Sequence, residues 1–217
     1  MKEYPSRFLS EIKKAEILRK YRKKRIAILV ISFFVLIILY MFKNYSSLLR
    51  TFSAIGFLLL FYLIDHLFDA DFSPVHYVFA VIIAVSSFLL SPLYYIYPNY
   101  DKIQHLVQPV LISFVVMHLV SRLKIRIRWK LAFVFFIVIG FIGLHEIGEY
   151  VLDYFFDLKL QGVFLRNLQG LEKYDILLDR LDDTMIDMTF GVAGTLIYLF
   201  ISTIFILRKK FEIRREL

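Results

Sequence analysis

Six apolar runs, at about 26–43, 48–68, 74–97, 106–122, 129–151 and 184–207, constrain this chain more than any other feature. Each approaches the roughly 20 residues that a helix needs to cross a hydrocarbon core of about 30 Å, since the helical rise is only about 1.5 Å per residue. In lipid a backbone has to satisfy its own N–H and C=O groups, so these runs predict helices. The expected fold is an all-α polytopic membrane bundle of about six transmembrane helices, with the lipid bilayer as its first partner. Composition agrees: 59% of the residues are hydrophobic, and 23 Phe with 14 Tyr in 217 residues exceed what a soluble domain carries. Pro109 in the fourth and shortest run does not exclude a helix, because neighbouring groups in a membrane bundle re-satisfy the carbonyl that a proline frees.

The net charge of +8 has the distribution of a topology signal. Of 27 Lys and Arg, ten lie in residues 1–25, five in 121–130 and five after Leu207. The remaining seven (Lys43, Arg50, Lys102, Lys159, Arg166, Lys173 and Arg180) fall in or beside the other three connections. An even number of spans with both termini cytoplasmic satisfies the positive-inside rule, and points to a multi-pass protein of the inner or plasma membrane. No basic face with interleaved aromatics is present, so nucleic acid is not an expected partner. The expected organisation is a basic cytoplasmic tail over 1–25, a transmembrane domain over 26–207 and a second basic tail over 208–217. Within it the outer segment 152–183 carries Leu165, Leu168, Leu171, Leu177, Leu178 and Leu181 among acids, which predicts a helix lying on the membrane surface as a lid. With no Cys in the chain, disulfides, thiolate metal sites and cysteine nucleophiles are excluded.

A charge near the bilayer centre costs on the order of 3 kcal/mol or more, so ionisable residues at membrane depth are candidates for function. Three pieces qualify: Asp101 and His105 in YDKIQH, His145, Glu146 and Glu149 in LHEIGEY, and Asp182, Asp183 and Asp187 in DDTMIDM. Each contains an i,i+4 pair, which a helix places on one face. The topology sends all three to the same, outer side of the membrane, where they can share one pocket. Carboxylates and imidazoles gathered without an interspersed Lys or Arg repel one another unless protons or cations compensate them. Oxygen and imidazole donors suit a divalent metal: Zn, Mn, Fe or, with carboxylates dominating, Mg or Ca.

A plainer reading exists for each piece. Acids and histidines at helix ends contact water and headgroups, and Asp182 and Asp183 are placed to cap the last helix. Glu146 and Asp187 resist it, lying about a turn inside their apolar runs. A second acidic group, Asp65, His66, Asp69, Asp71 and His76, surrounds Pro74 and reads as a solvated turn. His118, alone in the fourth run, reads as a packed core residue. LHEIGEY resembles the zinc-protease helix H-E-x-x-H but ends in Glu149 where that motif has its second His. DDTMID resembles an aspartate-rich prenyltransferase motif, yet there is one such motif and too few spans for that fold.

Taken in order on successive final spans, the three pieces resemble the YjdF-like family of prokaryotic inner-membrane proteins. Its pattern runs Y-D-[KR]-x-x-H, then E-x-x-E-[WY], then D-x-x-x-D-M before a Gly-containing helix. The resemblance covers roughly residues 50–205 and falls on Asp101, His105, Glu146, Glu149, Asp183 and Asp187, with Gly191 and Gly194 in the last helix. A more distant similarity to VanZ-like proteins rests on a D-x-x-x-H and later acids. The chain departs from the family pattern before the last span, where LQGLEKYDILLDRLDD replaces a Gln-Gly-Asp stretch. The resemblance groups the residues and implies no reaction.

The leading expectation is a metal-dependent membrane enzyme acting on a lipid or lipid-linked substrate. Asp101, His105, His145, Glu149 and Asp187 are the expected metal ligands, and Glu146 or Asp183 the general base for an attacking water. Two other classes use the same acids: a small transporter or ion-coupled subunit, and a non-catalytic membrane protein with a structural cation. The sequence specifies no oligomeric state.

Overall fold

The computed structural model describes residues 16, 18–19, 22–23, 25–34, 37, 46–97, 99–156, 160–166 and 174–215. In chain order they form α1 (Arg25–Phe34), α2 (Ser46–Leu67), α3 (Pro74–Ala84), a π-helical turn (Val85–Leu89) and a 3-10 turn (Ser91–Tyr95). α4 (Tyr100–Ser121), α5 (Ile127–Phe156), strands β1 (Val163–Arg166) and β2 (Tyr174–Leu178), and α6 (Arg180–Arg215) follow. Among the described residues, α2, α4, α5 and α6 are long and apolar enough to cross a membrane, while α1 and the Pro74–Leu89 stretch are apolar but shorter. The chain is an all-α integral membrane protein carrying one small hairpin. Large side chains such as Phe136, Phe141, Leu144 and Phe200 stand exposed on its helices, as a lipid-facing surface requires and a water-facing one penalises.

Three expectations need adjustment. The run 74–97 is not one helix: Pro92 supplies no N–H, and the chain passes through π and 3-10 turns before α4 starts. The later helices overrun their apolar runs, α4 and α6 starting earlier and α5 ending later, because backbone hydrogen bonding continues past the point where hydropathy falls. The surface helix expected within 152–183 is replaced, between the end of α5 and the start of α6, by an antiparallel hairpin pairing Val163 with Leu178 and Arg166 with Tyr174. Gly162, with φ 89°, takes the left-handed conformation that precedes β1 and that a helix forbids. Most of the expected tail 1–25, the remainder of the first run apart from residue 37, residues 157–159 and 167–173 of the expected lid, and residues 216–217 lie outside the described residues.

The chain divides into two compact units, 1–89 and 90–217. In the first, α2 and α3 meet through the small residues Ala54, Ala80 and Ala84 with Leu58, and small side chains let membrane helices approach closely. The acidic group here is not wholly a solvated turn. Asp65 is buried, accepting from Arg25 Nη1 (2.9 Å), the Tyr77 hydroxyl (2.6 Å) and the Phe72 amide (3.1 Å). Arg25, which the sequence assigns to the basic tail, lies in α1 and also binds Asp71 at 3.1 Å. Asp69 and Asp71 make the turn itself, with φ of 45° and 53°, a conformation Asp tolerates. His76 caps α3, its Nδ1 accepting from the Ser73 amide at 3.1 Å.

In the second unit, Val116 and Val120 of α4, Val134, Val138 and Ile142 of α5, and Tyr198 of α6 form one buried cluster. Above it α4 and α6 come together backbone to backbone. A Cβ at Gly194 would overlap the Leu106 carbonyl oxygen, which no rotamer can move aside, whereas one at Gly191 would meet the flexible Ile142 Cδ1 at 2.7 Å. Pro109, a turn further along α4, removes the amide that would bond the His105 carbonyl, and Ser113 Oγ donates to the Pro109 carbonyl at 2.6 Å. Gly194→Ala is therefore expected to cost on the order of 1–3 kcal/mol through overpacking. Gly148→Ala, where a Cβ meets nothing within 4 Å, should be neutral or gain up to about 1 kcal/mol of helix propensity. Thermal unfolding of the two variants in detergent checks the contrast.

Candidate functional site

The chain direction alternates through α4, α5 and α6, so the first turns of α4 and α6 adjoin the last turns of α5. Asp101 and His105 face inward from α4, with side chains 17% and 12% exposed, and His105 Nε2 lies 3.6 Å from Asp101 Oδ1. Glu146 projects from α5, its Oε1 3.8 Å from His105 Nδ1 and 4.0 Å from His145 Nδ1. Asp187 of α6 is buried and lies within hydrogen-bonding reach of Asp101. One donor atom each from Asp101, His105 and Asp187 lie within 4.8 Å of one another, as do those from His105, His145 and Glu146. His105 is common to both groups and is the hub of the cluster.

The other expected residues hold less central places. Glu149 Oε1 is 3.8 Å from His145 Nδ1, and the His145 side chain is 57% exposed, which sets it at the rim. Glu149 nonetheless feels the charges of Glu146, Asp101, Asp187 and Asp183. Asp183 is buried and accepts the Gly162 amide on Oδ2 at 2.8 Å, while its Oδ1 lies 3.8 Å from Lys102 Nζ. Two expectations change at this point. A cation is interspersed among the acids, because Lys102 follows Asp101 on the first turn of α4 and its long side chain reaches α6. The cap of α6 is Asp179, which accepts the Asp182 amide at 2.9 Å, so Asp183 is released for the interior and Asp182 stays exposed.

Sequence reasoning missed four contributors. Asp153 is buried on α5 and accepts the amides of Leu160 (2.8 Å) and Gln161 (2.9 Å), which fixes the chain where it returns over the site. Its signal was available, since 146, 149 and 153 follow one helical face. Gln161 adds a bond from Nε2 to Thr184 Oγ1 of α6 at 3.1 Å. Gly162 is held from both sides, its amide on Asp183 and its carbonyl accepting from the Tyr94 hydroxyl. Neither Tyr94, in the 3-10 turn, nor Gly162 carried a motif that marks such a contact.

Electrostatically the site is unbalanced. Five carboxyl groups (Asp101, Glu146, Glu149, Asp183 and Asp187) gather around Lys102 and two histidines. Glu146 Oε1, Asp183 Oδ1 and Asp187 Oδ1 are buried without a hydrogen-bond partner. Unsatisfied buried oxygens of this kind cost about 1–3 kcal/mol each, and more when charged. A cation held by Asp101, His105 and Asp187 would satisfy the Asp187 oxygen. The donor set fits one: in tetrahedral coordination, donors at about 2.1 Å from a metal lie roughly 3.5 Å apart. Groups already within 4.8 Å of one another close to that spacing by small rotamer changes.

A family model described as "Predicted membrane protein (DUF2238)" matches residues 25–208 of the chain. It is the family of membrane proteins to which the three motifs point. No curated protein and no solved structure matches the chain.

Asp153 holds the returning chain without joining the cluster of unsatisfied acids, and this separation is measurable. Asp153→Ala is expected to speed hydrogen exchange at the Leu160 and Gln161 amides about ten- to a hundredfold, from the loss of bonds to a charged acceptor. Amides within α4 should keep their protection. Exchange mass spectrometry in detergent reads both.

Proposed function

The chain belongs to the DUF2238 family of predicted membrane proteins, and from that membership and the geometry above we propose a metal-dependent membrane enzyme acting on a lipid or lipid-linked substrate. The single observation that carries the reading is that His105 gathers two buried acids with unpartnered oxygens, Glu146 on one side and Asp187, together with Asp101, on the other. Asp101, His105 and Asp187 would hold the metal, with His145 and Glu149 completing its surroundings at the rim. A divalent ion there, of the Zn, Mn, Fe or Mg type, supplies Lewis acidity and neutralises charge that develops on a substrate oxygen.

The chain's own groups have distinct tasks. Glu146 is buried beside His105 and has a free oxygen, so it accepts a proton from an attacking water. Asp183 is engaged by the Gly162 amide and faces Lys102, which makes it a positioning group for the returning segment and the weaker choice of base. Lys102 offers a cation to an anionic part of the substrate. Hydrolysis of an ester or phosphoester is the reaction class that needs only these parts. The positive-inside distribution of Lys and Arg supports an outer-face location for this chemistry, with the substrate arriving from the lipid.

Metal analysis of the purified full chain tests the reading. A near-stoichiometric divalent metal is expected in the wild type, reduced at least tenfold in Asp101→Ala and Asp187→Ala and retained in Asp153→Ala. Against lipid esters and phosphates, Glu146→Gln should keep the metal and lose about 10²–10⁴ in rate, the usual contribution of a general base. A wild type that takes up no divalent ion, supplied Mg and Zn included, would overturn the enzyme reading and favour proton-coupled transport through the same acids.

A further inference from the structure

A groove of about 460 Å³ runs between α5 and α6 on the side of the second unit that carries exposed apolar residues. Gly143, Ile147 and Tyr150 line it from α5, and Leu181 and Met188 from α6. Because the two helices are antiparallel, Gly143 and Met188 mark its deep end, while Tyr150, Leu181 and Arg180 mark the end where α6 begins. From Gly143 to Tyr150 the groove follows about 10 Å of helix. Its exposed lining is mainly apolar; the polar groups are Arg180 at the end where α6 begins, Gln161 and Thr184, which are bonded to each other, and Glu146.

That distribution identifies the occupant. A partner helix is about 10 Å across with its side chains, too thick for a cleft of this volume. A water-soluble substrate would leave the apolar length unsatisfied. An amphiphile with one apolar chain and an anionic end matches both parts, and guanidinium is the cation best suited to phosphate oxygens. Glu146 ties the groove to the cluster, since its carboxyl lines the cleft and also stands 3.8 Å from His105. Lying one helical turn deeper than Tyr150, it is level with the ester linkages of a lipid whose phosphate sits at Arg180.

We propose that the α5–α6 groove is the lateral entrance to the site and takes one acyl chain of a membrane glycerophospholipid, with the lipid phosphate at Arg180. The proposal rests on the reading of the site as one that acts on a lipid, and it names the lipid class. Gly143 is the element of the groove that a sequence would least suggest. A Cβ there meets nothing within 4 Å, so the missing side chain leaves the deep end open and packs nothing.

The test uses the full chain in detergent with a limiting amount of a phosphatidylglycerol carrying a diazirine on one acyl chain. Photolysis and peptide mapping are expected to place label on the α5 and α6 peptides around Ile147 and Met188. Gly143→Phe, which fills the deep end, should lower that labelling at least fivefold, while Gly143→Ala leaves it unchanged. Arg180→Gln should weaken competition by unlabelled phosphatidylglycerol and leave competition by diacylglycerol, which lacks the phosphate, as it was. Labelling spread evenly over the exposed helices, or indifferent to Gly143→Phe, overturns the entrance. Diacylglycerol competing as well as phosphatidylglycerol in the wild type overturns the phosphate assignment. Metal content is read on the same samples: groove labelling without metal leaves the entrance standing and removes the metal enzyme, and metal without groove labelling does the reverse.

Discussion

The close approach of Gly194 to the Leu106 carbonyl is the contact on which the rest of the second unit depends. It lets the α4 and α6 backbones touch where any side chain would separate them. Membrane helices gain little from burying apolar surface against one another, because lipid is as apolar as the interface, so close backbone packing has to supply the association. Leu106 directly follows His105, and Gly194 lies two turns along α6 from Asp187. The same contact that joins the helices therefore sets how far the Asp187 carboxyl stands from the Asp101 and His105 side chains. Pro109 belongs to this arrangement, since it leaves the His105 carbonyl without its helical donor one residue away from the contact.

Bringing those helices together creates an electrostatic problem that the returning chain only partly solves. The Gly162 amide neutralises one oxygen of Asp183, and Asp153 anchors residues 160 and 161 so that this amide is correctly aimed. Lys102 offsets part of the remaining charge at 3.8 Å, longer than a direct hydrogen bond. These contacts all serve the Asp183 side of the cluster. Nothing comparable reaches the free oxygens of Glu146 and Asp187.

The helical class was legible because lipid leaves the backbone so few options, and the grouping of acids was legible because each piece carries an i,i+4 pair and the topology sends all three to one end. What the sequence hid has physical reasons as well. Hydropathy does not register that Pro92 and the turns around it divide the third apolar run. A leucine pattern among acids predicts an amphipathic helix over 152–183, but the left-handed Gly162 and the hairpin pairing override it. Lys102 was counted as an outer-loop charge because sequence gives no direction to a long side chain, and Asp179 was overlooked as the α6 cap because Asp182 and Asp183 offered the more conspicuous pair. Asp153 was on the same face as Glu146 and Glu149 and was readable by periodicity alone.

The two acidic groups in this chain give opposite answers to one question, namely how a buried carboxylate is satisfied. Asp65 receives a guanidinium, a phenol and a backbone amide, and both of its oxygens are engaged. The carboxylate is fully engaged, although Arg25 Nε beside it keeps no partner; the site fixes α1 and the 69–73 turn against α2. Glu146, Asp183 and Asp187 each retain a buried oxygen with no donor, in a chain that demonstrably builds full donor sets elsewhere. Retaining three such oxygens costs stability that a more apolar core would not lose. Glu146 also lines the groove between α5 and α6. An incomplete donor set of this kind leaves coordination for a ligand, which the completed pattern at Asp65 does not.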